Sequence, residues 1–176
     1  MNAKNPKIKG YLITEGAVVT DNPKIVANNA NTVRILANLQ DADTVNRNRR
    51  LYGYSTLDLA LKAPYIQERL STKSLYGEAG HPLKPDIDRQ LYIDQTRISH
   101  IVVKPWFEGK ILKGEVESAN THVGKDFKGL IEQGSSVAFS LRAVGPITEN
   151  KKNYVEVKSP LSILTWDWIN YELSLV

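Results

Sequence analysis

Few side chains in this sequence can do acid, base or nucleophilic chemistry. There is no cysteine, so thiol nucleophiles, disulfide scaffolds and cysteine-ligated metal sites are excluded. The three histidines, His81, His100 and His122, are too widely spaced for a His-Glu-x-x-His helix pair, and no dedicated metal site is expected. Gly124-Lys125 lacks the upstream glycine and the following hydroxyl of a phosphate-cradling loop, and no G-x-G-x-x-G occurs, so no nucleotide cofactor is expected either. What remains is a serine paired with a histidine, in which imidazole takes the hydroxyl proton as the oxygen attacks a carbonyl.

Ser140 is the serine best placed for that role. In Val137-Ala138-Phe139-Ser140-Leu141-Arg142-Ala143-Val144-Gly145, alternation sends Val137, Phe139, Leu141 and Ala143 to one strand face and Ala138, Ser140, Arg142 and Val144 to the other. Small Ala138 leaves room beside the hydroxyl. Arg142 on the same face can steady an oxyanion, directly or by positioning a neighbour. The same alternation also describes a half-solvated strand whose outer face is merely polar. His81 lies in a Gly/Pro loop, where a side chain can be aimed into a cleft. His100, between Ile98 and Val102, reads as a core histidine, and His122 as an exposed residue before a helix. Asp167 is expected on one strand face with Leu161, Ile163, Thr165 and Ile169. A carboxylate there needs a partner, either an imidazole to orient or an arginine to pair with.

The elements that must position these groups are mostly strands. Residues 10–14 and 32–39 read as early strands, and a helix follows from Ser55 as N-cap, split by Pro64. Residues 71–85 read as a loop by their Gly and Pro content. Strands at 97–103 and 111–117 form a hairpin turning at 107–110, and a helix over 123–133 ends at Gly134. Strands at 137–144, 154–158 and 161–169 follow, with a turn at 149–153. The class is α+β with a mostly antiparallel sheet or barrel.

The chain has 176 residues, 41% hydrophobic and 24% charged, enough for a single domain over 1–176 that buries a core without staples. The basic start of the sequence has no apolar run behind it, so neither a secretory leader nor a membrane span is expected, and the chain is of an intracellular type. The net charge of +4 favours acidic partners weakly. Arg47, Arg49 and Arg50 with Tyr52 and Tyr54 form a cluster able to hold phosphates and stack on bases, but no nucleic-acid-binding signature accompanies it, and this reading ranks third.

Several motifs, in order, resemble the prohead (capsid maturation) proteases of tailed bacteriophages, relatives of the herpesvirus assemblins. Asn46-Arg47-Asn48-Arg49-Arg50-Leu51-Tyr52 resembles N-x-N-G-R-x-Y, and Gly77-Glu78-Ala79-Gly80-His81-Pro82 resembles G-E-L-x-H-P. Arg97-Ile98-Ser99-His100-Ile101 resembles R-x-S-H-x, residues 137–145 resemble V-G-x-S-S-R-G-x-G, and Thr165-Trp166-Asp167-Trp168-Ile169 resembles the closing D-x-V strand. Arg49, Gly80, Ala138, Leu141 and Ala143 depart from the family pattern. The resemblance implies Ser140 as nucleophile, His81 as general base and acid, and Asp167 as third member, with His100 the alternative because assemblins use a second histidine. It implies a small, mostly antiparallel β-barrel flanked by helices. It also implies a homo-oligomeric serine endopeptidase that cuts scaffold and major capsid proteins, and itself, inside the procapsid in the host cytoplasm. A non-catalytic β-barrel component of the virion, in which Ser140 and His81 never meet, is the competing reading.

Overall fold

The computed structural model describes residues 10–14, 18–83, 86–150 and 152–169; the start of the chain, read above for a leader, lies outside them. In chain order these residues form β1 (Tyr11–Thr14), β2 (Val18–Thr20), β3 (Ile25–Asn28), β4 (Val33–Asp41), β5 (Arg50–Tyr52), α1 (Tyr54–Leu61), α2 (Pro64–Ser71) and β6 (Tyr76–Glu78). Then come α3 (Ile87–Gln90), β7 (Ile98–Glu108), β8 (Ile111–Ser118), α4 (His122–Glu132), β9 (Val137–Gly145), β10 (Ile147–Asn150), β11 (Tyr154–Val157) and β12 (Ser162–Ile169).

The larger sheet runs β3-β4-β8-β7-β6 and is antiparallel throughout. In the second, β9 has β12 on one edge and both β1 and β2 on the other. A small third sheet, β10-β11-β5, includes a parallel β11/β5 pair. The expected barrel is corrected here, because the ladders of the described residues do not close. Among the described residues, the one ladder bridge between the two larger sheets is the parallel pair Ala79–Trp168. On the far side, the Asn38 N–H donates to Thr20 Oγ1 at 2.8 Å. A one-residue bridge and a three-residue β2 are too short to continue a ladder.

Alternation builds the core. Val33, Ile35, Ala37 and Leu39 of β4 face inward, as do Leu112 and Val116 of β8 and Phe139 and Leu141 of β9, all essentially without solvent contact. Pro64 divides the helical stretch as expected: it stands at the first position of α2, where a missing N–H breaks no helical bond. Ser55 is not the N-cap. The N-cap is Gly53, two residues earlier, and Asp43 satisfies the first turn from outside the helix, its Oδ1 accepting the Tyr54 N–H at 2.9 Å. Thr121 caps α4, its Oγ1 accepting the Gly124 N–H at 2.9 Å while donating to the Ile98 carbonyl. The stretch read as a continuous loop over 71–85 contains β6, whose antiparallel pairing with β7 depends on a partner distant in sequence.

Candidate active site

β9 supplies the serine. Phe139, Leu141 and Ala143 point into the core as alternation requires, and Ser140 and Arg142 point to the opposite face. That opposite face is not the half-solvated surface the pattern also permitted, since Ala138, Ser140 and Arg142 are all buried.

β12 supplies the carboxylate through an irregularity the sequence does not announce. Its antiparallel register against β9 pairs Ile163 with Ala143 but Thr165 with Arg142, so one extra residue, Leu164, is accommodated between them. A bulge of one residue moves all that follows to the other face. The expectation that Ile163 and Asp167 share a face is therefore corrected. Ile163 sides with the core at Ala143, whereas Thr165 and Asp167 side with Arg142 and Ser140. Asp167 stands directly opposite Ser140, at the cross-strand spacing where side chains touch.

The histidine arrives from the end of β6. The Ala79 N–H donates to the Arg97 carbonyl at 3.0 Å and the Gly80 N–H to the Trp168 carbonyl at 2.6 Å, which pins the chain beside β12. Gly80 has φ +78°, a left-handed turn that glycine adopts without strain and that directs the next residue back over the sheet. His81 then spans the other two groups, with Nε2 2.6 Å from Ser140 Oγ and Nδ1 2.7 Å from Asp167 Oδ2. A carboxylate can only accept, so Nδ1 carries the proton, and Nε2 is left to accept from the serine hydroxyl. The His81 side chain is 22% exposed while Asp167 is wholly buried. The structure thus joins Ser140, His81 and Asp167 in one hydrogen-bonded chain.

The Arg142 guanidinium faces backbone carbonyls and two carboxylates. One terminal nitrogen donates to the carbonyls of Gln90 at 2.9 Å and Tyr92 at 3.2 Å. The other donates to Glu78 Oε2 at 2.7 Å and to Asp167 Oδ1 at 3.2 Å. Nε lies 3.1 Å from Asp167 Oδ2, out of line for a hydrogen bond. With its donors turned to these partners, Arg142 acts on Asp167. The two partners foreseen for Asp167, an imidazole and an arginine, are both present.

His100 lies apart from this chain. Its Nε2 donates to the Trp166 carbonyl at 2.8 Å and its Nδ1 is 2.8 Å from Ser99 Oγ. Phe139 and Phe127 flank the ring at centroid distances of 4.9 and 5.7 Å. Burial pushes it down to about 4, so it is a neutral core group. Gly77 makes room for it: a Cβ there would fall 2.1 Å from His100 Nε2. His122 opens α4 and is exposed.

Glu78, Arg89 and Asp94 were missed as site residues. Glu78 is fully buried, and its backbone N–H donates to Asp167 Oδ1 at 3.2 Å. Its Oε1 accepts from Arg89 at 2.7 Å and from the Asp94 N–H at 2.9 Å. The hydrogen bond to Glu78 holds the Arg89 guanidinium above its ordinary value. The one available signal is an acid three residues before the loop histidine. Two of the three clustered arginines bond to backbone, Arg49 to the Asn153 carbonyl and Arg50 to the Thr14 carbonyl, and Tyr52 is buried. Tyr54 packs on Phe107 at 4.3 Å.

Comparison with known proteins is in keeping with this geometry. Over 115 residues the chain is 30% identical to the prohead core protein protease of Enterobacteria phage T4, an overlap of 64% of this chain and 51% of that protein. The chain spans about half the length of the curated relative it matches. The solved structure of the bacteriophage T4 capsid assembly protease matches with a TM-score of 0.76 at 22% identity, covering 92% of this chain and 98% of that one, which shows a shared fold. The Peptidase S80 family profile matches residues 20–174. With that match spanning most of the sequence, the chain belongs to the Peptidase S80 family.

Proposed function

We propose that this protein is a serine endopeptidase of phage head maturation, in which Ser140 is the nucleophile, His81 the general base and acid, and Asp167 the group that orients the imidazole. The observation that carries this reading is the pair of short contacts made by His81, 2.6 Å to Ser140 Oγ and 2.7 Å to Asp167 Oδ2. His81 Nε2 takes the Ser140 proton as Oγ bonds to the scissile carbonyl carbon. The imidazolium, stabilised by Asp167, then returns that proton to the leaving amine. A water deprotonated by the same nitrogen releases the acyl group and restores the serine.

Ser140 has no exposed surface, and the partly exposed His81 is the member of the chain that solvent reaches. The T4 relatives, a prohead core protease and a capsid assembly protease, support scaffold and capsid proteins as substrates and the procapsid interior as the place of action. In the competing reading, a non-catalytic virion component, Ser140 and His81 have no reason to meet.

Mass spectrometry of scaffold protein incubated with the wild type and with Ser140→Ala tests the proposal. The wild type should yield discrete fragments, and the variant should lose about a millionfold in rate. Equal cleavage by the variant would overturn it.

A further inference from the structure

Behind the imidazole lies a chain of charge that alternates in sign: Asp167, Arg142, Glu78 and Arg89. Asp167, Arg142 and Glu78 have no exposed side-chain surface, and Arg89 is 15% exposed. Burial on this scale is not explained by stability, because buried ion pairs lose several kcal/mol of hydration per ion and apolar replacements are often as stable. The arrangement does have an electrostatic consequence for His81. Two carboxylates and two guanidiniums cancel while the imidazole is neutral, leaving its protonated form as the one uncompensated charge. Arg142 touches both oxygens of Asp167 and so competes with His81 for that carboxylate. Glu78 answers this competition, since its contact with the shared Arg142 nitrogen is 2.7 Å against 3.2 Å from that nitrogen to Asp167 Oδ1.

We infer that Glu78 is a positioning residue that neutralises Arg142, leaving the negative charge of Asp167 available to the His81 imidazolium formed during acyl transfer. Arg89 sets how much of the Glu78 charge reaches that task. This rests on the catalytic reading above. Among the described residues, the charged groups that face His81 or its carboxylate are Asp167 from β12, Arg142 from β9, Glu78 from β6 and, across the Ala79 carbonyl, Arg97. Asp94 stands beyond, 3.9 Å from Arg89.

Two substitutions of opposite charge give the test. Glu78→Gln leaves Arg142 to Asp167 alone and disfavours the imidazolium. Arg89→Met frees the Glu78 charge and favours it. The readout is the rate at which an alkyl fluorophosphonate labels Ser140 as a function of pH. In that reaction Oγ bonds to phosphorus, the P–F bond breaks, fluoride leaves, and His81 takes the serine proton. Relative to wild type, the midpoint of the acid limb should move down by about one pH unit in Glu78→Gln, with a plateau about tenfold lower, and should move up in Arg89→Met. Loss of packing alone lowers both plateaus and moves neither midpoint. Midpoints that stay in place, or move in the same direction, would overturn the inference. Should Glu78→Gln not fold, the direction in Arg89→Met decides. Wild-type labelling that is lost in Ser140→Ala shows that the catalytic reading stands, so the two claims fail separately.

Discussion

Acid should destabilise this protein through one histidine that takes no part in the proposed chemistry. The Trp166 carbonyl can only accept, so His100 Nε2 must carry a proton; the neutral ring then accepts from Ser99 Oγ at Nδ1, and both ring nitrogens are satisfied. Protonation would add a charge between Phe127 and Phe139 with no carboxylate in contact. In the unfolded chain the ring titrates near its ordinary 6.5, and in the folded protein burial pushes it down to about 4. Below 6.5 the unfolded state therefore binds the extra proton, and stability is lost progressively as pH falls from about 6.5 to about 4, with no further change from this group below that. A gap of about 2.5 pH units at 1.36 kcal/mol each is worth about 3 kcal/mol. The assay is urea unfolding of wild type and His100→Gln at pH 7 and pH 4. Comparing the two proteins cancels the acid loss shared through Asp94, which hydrogen bonds from Thr96 hold below its usual range. It also cancels Glu117, where burial's upward push is outweighed by hydrogen bonds from Lys73 and Arg34. The wild-type advantage should shrink by about 3 kcal/mol, or about 1.5 M in urea midpoint for a slope near 2 kcal/mol/M. An advantage that stays constant across this range would refute the account of His100 as a neutral core group. Loss of Ser140 labelling in folded His100→Gln would return the third catalytic role to His100.

Asp167→Asn should leave the fold recognisable by circular dichroism while lowering cleavage by about ten-thousandfold, because the amide no longer enforces the Nδ1–H tautomer of His81. Gly77→Ala should lower the thermal midpoint by about 10 °C, since its Cβ would strike His100 Nε2 and the Trp166 carbonyl and break their hydrogen bond. Calorimetry measures this directly. Thr121→Ala removes the side-chain cap of α4 and should cost about 1 kcal/mol by urea unfolding, with labelling of Ser140 unchanged at low temperature.

The parts of the site legible in the sequence were those written in local pattern. Ser140 and Arg142 share a face because β9 alternates without interruption, and His81 stands out because it lies in a Gly/Pro loop. What local pattern did not show depends on partners distant in the chain. The bulge at Leu164 is a single residue in an ordinary-looking strand, yet it decides that Asp167 faces Ser140 rather than the core side of Ile163. β2, β3 and β5 have three or four residues each and exist only as additions to a neighbouring strand. Glu78 sits in a segment that reads as a loop, and the partners that accompany its burial, Arg142 and Arg89, are 64 and 11 residues away. The run of strands allowed a sheet or a barrel and the family resemblance implied the barrel, but the ladders of the described residues do not close.

Mass spectrometry of the protein after exposure to a fluorophosphonate decides whether His81 activates Ser140. A single phosphonyl adduct on Ser140, formed far more slowly in His81→Ala, is the expected result. An unmodified Ser140, or an adduct whose rate is indifferent to His81, would contradict it.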